Sequence, residues 1–242
     1  MKLDVLAIGP HPDDIELTCS GTIAKLVKQG HRVGLLDLTR GELGTRGSKL
    51  LRREEARKAS DILGVAVREN LEIPDGNIRV NRDNVLKVVR LLRRYRPEIL
   101  LIPHSLERHP DHEHAHHLCK EAWYYSGLAK IITKDRGKQQ NRHRPKRFFH
   151  YMQKYEFVPS FIVDITETYG IRTAAIRAFA SQFYDPRRKE PNTLLSSPEF
   201  LEFIELRAKY YGSQIGVRYG EPFFSIEPVG IRDVFDLVYS KG

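Results

Sequence analysis

An alternation in the first forty residues constrains the fold most. A short apolar run, LDVLAIG (3–9), is followed by a helical pattern from about Glu16 to Lys28. A second apolar run, RVGLLDLT (32–39), comes after the helix-stopping Gly30. Apolar strands separated by an amphipathic helix read as a βαβ unit on a parallel sheet, whose strands are covered on both faces. The rhythm continues with a helix from about Leu50 to Leu63 stopped by Gly64, a strand over VAVRENLEI, and a helix over 84–95. A buried strand over PEILLIPH (97–104) and a helix from about Asp111 to Ser126 come next. FFHYMQ and SFIVDI read as further strands, YGIRTAAIRAFASQF as a helix, and SPEFLEFIELRAKYYGSQIG as another ending at Gly212 or Gly216. The expected class is α/β: a Rossmann-like, mostly parallel sheet flanked by helices, forming one domain over 1–242, with its active site at the C-terminal strand ends.

Composition narrows the function classes. The two cysteines, Cys19 and Cys119, belong to no CxxC unit, which fits two small buried side chains in a reducing cytoplasm. No window approaches the roughly 18–20 apolar residues of a membrane span. The formal charge of +9 favours anionic partners. Much of it sits in KDRGKQQNRHRPKR (134–147), where seven Lys or Arg face one Asp with no apolar residue; this segment is expected to be a basic loop or flap near the pocket mouth. It lacks interleaved aromatics, so a nucleic-acid-binding module is only a remote alternative.

Chemistry concentrates in two strand-end turns. The first is Gly9-Pro10-His11-Pro12-Asp13-Asp14, which is not the GxGxxG of a dinucleotide site; the second is Arg108-His109-Pro110-Asp111-His112. Either alone reads as a helix N-cap or a surface turn. At adjacent strand ends they converge on the geometry of a catalytic metal, three protein ligands plus an open position. His11 and Asp14, at i and i+3, can face one ion, and Asp13 is then spared to act as general base. The third ligand is His109 or His112, and Asp111 orients whichever imidazole is not bound. His114, His116 and His117 read as solvated helix surface, with His116 in phase to face the site. His31, His143 and His150 read as surface or loop residues, and His104 as a strand-end residue that could line the pocket.

At these motifs the chain resembles the LmbE-like (PIG-L) family of zinc-dependent N-acetylglucosamine deacetylases. The similarity runs through GPHPDDIELTCSGTIAKLVKQGH, LLDLTRGELGTRGS with RREEARKASDILGV, RHPDHEHAH, SQF and YYGSQIGVRYGEPF. The resemblance implies His11, Asp14 and His112 as Zn2+ ligands, with Fe2+ another ion that suits such a set, and Asp13 as general base. It implies His109, oriented by Asp111, as the imidazolium that stabilises the oxyanion or protonates the leaving amine. Arg53 and Asp75 match the family's positions near the sugar, Arg108 would hold a carboxylate in a bidentate fork, and Glu42 would bond a sugar hydroxyl. Similarity to the bacillithiol-biosynthesis branch implies N-acetylglucosaminyl-malate, a small anionic sugar conjugate, as substrate; another N-acylated sugar or a glycolipid is the alternative. The family also implies self-association as a homo-oligomer; on composition and hydropathy, no nucleic-acid or membrane partner is expected.

Overall fold

The first apolar run forms β1 (Val5–Gly9), α1 (Asp14–Lys28) follows, and β2 (Val33–Asp37) pairs parallel to β1 from Val5–Val33 to Gly9–Asp37. The structure is a computed structural model that describes residues 1–187 and 189–237. The alternation continues through α2 (Lys49–Leu63), β3 (Val67–Asn70), α3 (Arg82–Tyr95), β4 (Ile99–Pro103) and α4 (Pro110–Ser126). The Ser48 hydroxyl accepts the Leu51 N–H at the start of α2, and Gly64, at φ 69°, closes it in the left-handed conformation glycine adopts freely. A short hairpin, β5 (Lys134–Asp135) and β6 (Lys138–Gln139), precedes β7 (Arg147–Tyr151) and β8 (Phe161–Asp164). Two helices, α5 (Tyr169–Arg177) and α6 (Phe200–Gln214), and a last strand, β9 (Gly220–Phe224), follow.

The sheet order is β3-β2-β1-β4-β7-β9-β8. The first five strands are parallel, and β9 enters antiparallel between β7 and β8. This is the expected mostly parallel sheet with one unexpected strand. Strand alternation sends Val5, Ala7, Leu35 and Tyr151 to the face covered by α1, α2 and α5. Leu6, Ile8, Leu36 and Ile102 go to the face under α3 and α4. The Tyr151 hydroxyl donates to the Ile8 carbonyl at 2.9 Å, tying the end of β7 to the end of β1. Among the described residues no helix is long and apolar enough to cross a membrane.

Helix α1 is interrupted. Cys19 leaves helical geometry (φ −136°, ψ 15°), and the backbone N–H groups of Gly21 and Thr22 donate to the Glu221 carboxylate at 2.9 and 2.7 Å. Glu221, brought in by β9, thus caps the second half of the helix while pairing with buried Arg172 at 3.0 Å.

The basic segment lies elsewhere than expected. Because β7 runs parallel to β4, the residues before it sit at the N-terminal strand ends, opposite the site. Lys146 and Lys2 flank Glu98 at 2.7 and 3.1 Å, and Asp135 pairs with Arg94 at 2.6 Å. Residues 134–147 are partly a hairpin at the far end of the sheet, and none of them lines the cavity at the C-terminal strand ends.

Two histidines also depart from expectation. His116 and His150 are buried and stack at 5.0 Å between α4 and β7, and His104 meets His150 edge-on outside the cavity lining. Burial lowers the pKa of His116 to about 4 and of His150 to about 3. Since both folded values lie below the unfolded 6.5, their contribution to stability is complete above about pH 6.5. It is lost as the pH falls toward 3, at up to about 1.4 kcal/mol per pH unit for each site. Urea unfolding is therefore expected to show falling stability from pH 7 to 5, and His150→Phe should flatten that slope; an unchanged slope would exclude His150 as its source.

Candidate metal centre

Strands β1 and β4 are neighbours, so the two turns that leave their C-terminal ends meet. His11 Nδ1 lies 3.2 Å, and His112 Nε2 3.4 Å, from the same oxygen, Asp14 Oδ2. These three groups offer ligand atoms all within 4.8 Å of one another. A second trio, His11, His109 and Asp111, meets the same distance. Two imidazoles and a carboxylate without cysteine are the donor chemistry of a catalytic divalent cation. The groups around them fit that use: His11 Nε2 is 2.9 Å from Asp75 Oδ1 and 3.3 Å from Asp111 Oδ2, the outer carboxylates that orient a ligating imidazole. Burial opposes charge on His11, but bonds to Asp111, Asp14 and Asp75 outweigh it and raise its pKa well above the usual value. Burial likewise opposes ionisation of Asp14, yet His112 and His11 hold its carboxyl well below the usual range.

Asp13 stands beside the trio in a strained backbone, φ 110°, rare for a residue with a Cβ. Burial raises its pKa to about 7 against the opposing charge of Arg52, whose guanidinium lies 3.2 Å away and also donates to the Pro12 carbonyl. His109 Nδ1 accepts the backbone N–H of Asp111 at 3.1 Å, which places the proton of the neutral ring on Nε2. Burial, then the charges of His11 and His112, lower its pKa.

Several expected roles meet a different geometry. The Asp111 carboxylate faces His11 and accepts the Gly76 N–H at 2.8 Å, so Asp111 meets His109 through its backbone N–H and not through its carboxylate. Asp75 lines the cavity but is bound to His11 and to the Leu43 N–H. Glu42 lies outside the lining, accepting the Asp75 and Arg40 N–H groups at 3.1 and 3.2 Å. Arg108 is exposed at the cavity wall. Arg53 is exposed and outside the lining, while Arg52 is buried within it. The signal was legible: Arg52 shares the phase of Ala56, Ala59 and Leu63, and Arg53 does not. Arg52→Ala is expected to lower kcat/KM about tenfold or more, equivalent to ~1.4 kcal/mol, with Arg53→Ala near wild type; an Arg52→Ala enzyme as active as wild type would remove Arg52 from the site.

Gln153, Glu107 and Arg207 also line the cavity and were not anticipated. Gln153 lies two residues beyond β7, where a strand-end search would have reached it. The cavity measures about 380 Å³, within the range of small-molecule sites.

Residues 6–123 match the family model for GlcNAc-PI de-N-acetylase, PIG-L. The chain is 33% identical over 228 residues to diacetylchitobiose deacetylase of Thermococcus kodakarensis, covering 90% of this chain and 80% of that protein. A conserved protein from Thermus thermophilus superposes with a TM-score of 0.85 at 38% identity, over 95% of this chain and 97% of that one. A 4-oxalmesaconate hydratase from Pseudomonas putida is 29% identical over 197 residues, 73% of each chain. The chain belongs to the GlcNAc-PI de-N-acetylase (PIG-L) family and is an enzyme of the amide-hydrolase class.

Proposed function

We propose that the enzyme removes the acetyl group from an N-acetylated amino sugar or its conjugate. The observation that carries this reading is the convergence of Asp13 and His109 on one cavity with the trio His11, Asp14 and His112. A divalent cation such as Zn2+ held by the trio would supply Lewis acidity, polarising a carbonyl and acidifying water. Asp13, poised near neutrality and not needed as a ligand, accepts a proton as water adds to the amide carbonyl. His109 presents its Nε2–H to the oxygen on which charge develops. The C–N bond then breaks, Asp13 returns the proton to the departing nitrogen, and acetate and a free amine result.

The diacetylchitobiose deacetylase among the relatives supports a glycan N-acetyl group more than the malate conjugate. Exposed Arg108 and Lys154 on the cavity wall support an anionic group beyond the sugar. Acetate release from N,N′-diacetylchitobiose, N-acetylglucosaminyl-malate and N-acetylglucosamine tests the proposal. One of the two larger substrates is expected to exceed the free sugar by about tenfold or more in kcat/KM. Release of no acetate from any of them, with hydration of an unsaturated tricarboxylate instead, would overturn it.

A further inference from the structure

The two oxygens of Asp14 have separate surroundings. Oδ2 faces the ring nitrogens of His11 and His112 and also accepts the His11 backbone N–H at 2.9 Å. Oδ1 accepts the side-chain amide N–H of Gln153, whose nitrogen lies 3.4 Å from His112 Nε2. The amide orientation follows from chemistry, because its oxygen turned toward Asp14 would oppose a carboxylate. Among the described residues its own oxygen is buried without a hydrogen-bond partner. A glutamine kept only for packing would bond through both ends, since an unmade buried bond costs about 1–3 kcal/mol; here the nitrogen alone is used, against a metal ligand.

The segment carrying Gln153 is clamped on either side. Arg207, from α6, donates to the Gln153 carbonyl. Glu107, from the loop before α4, accepts the N–H groups of Lys154 and Tyr155 at 2.7 and 3.1 Å. The amide is therefore delivered to Asp14 by backbone held from two other elements. That is the arrangement by which outer groups fix the orientation of a metal ligand.

We infer that Gln153 is a positioning residue of the metal centre: by occupying Asp14 Oδ1 it leaves Oδ2 as the single carboxylate oxygen for the cation, preserving an open coordination position. This rests on the reading of His11, Asp14 and His112 as the metal site. In Gln153→Met the freed Oδ1 becomes a further donor, and the ordered carboxylate is lost.

The test uses full-length protein loaded with Co2+ or Zn2+. Gln153→Met is expected to weaken the visible absorption of the Co2+ form, as four-coordinate Co2+ gives way to a higher coordination number. Zn2+ affinity, measured against a competing chelator, should fall roughly 10- to 100-fold. Circular dichroism and melting of the metal-free variant report folding. If the Met variant does not fold, Gln153→Glu, of equal size but placing a second carboxylate beside Asp14, must shift the spectrum instead. An unchanged Co2+ spectrum in the variant that folds overturns the inference. His112→Ala separates the two claims: if it binds Co2+ as wild type does, the metal-site reading itself fails, whereas loss of metal there with an unchanged Gln153 variant sinks only the role of Gln153.

Discussion

Asp13→Asn is expected to lower kcat about 10²- to 10⁴-fold, the usual span for removing a general base, while retaining one equivalent of bound metal. Asparagine preserves the size of the side chain and tolerates positive φ better than most residues, so the backbone at 110° should persist. What disappears is a carboxylate that burial has brought to a pKa of about 7, where it can accept a proton and still release it. Single-turnover kinetics with metal analysis on the same sample checks this. A variant active within a few-fold of wild type would remove Asp13 from the chemistry. Loss of metal alongside activity would make Asp13 a ligand instead.

Glu221→Gln should lower stability by about 3–5 kcal/mol, the cost of breaking a buried ion pair from one side. For a chain of this size each kcal/mol corresponds to about 2–4 °C, so melting should fall on the order of 10 °C. The cause lies in what Glu221 holds: the Arg172 guanidinium at 3.0 Å and the N–H groups of Gly21 and Thr22 just past the Cys19 break. Arg172 also donates to the Leu17 carbonyl at 2.9 Å, so it bridges both sides of that break. Adding Arg172→Met should restore part of the loss, because the stranded charge goes with it. Calorimetry of the two single variants and the double variant decides; strict additivity would mean that the pair is not coupled.

The parallel half of the fold was legible because its apolar runs are continuous and its helices amphipathic. Strand β9 was not: Glu221 and Pro222 interrupt its apolar run, and Glu221 is inside because Arg172 and the Gly21 and Thr22 N–H groups satisfy its carboxylate. The meeting of the two turns was legible because residues at neighbouring strand ends need nothing more to converge, whereas the choice of His112 over His109 beside His11 and Asp14 rested on the family resemblance and not on spacing. The outer groups of the site were not legible. Asp111 was expected to serve whichever of His109 and His112 is unbound, but the turn at Gly76, whose N–H draws the carboxylate toward His11, decides otherwise. His150 was misjudged because an imidazole in a strand carries no sign of which neighbour covers it; α4 does, with His116.

The placement of residues 134–147 changes what the net charge can do for catalysis. A five-residue strand at about 3.3 Å per residue separates the two ends of the sheet by roughly 16 Å. That exceeds the ~8 Å over which exposed charges are felt at physiological ionic strength. The strongly basic end therefore contributes little to guiding a substrate into the cavity. Encounter rates should respond to salt according to the few cations at the rim, and a chain stripped of its far-end charge would capture the same molecules at nearly the same speed.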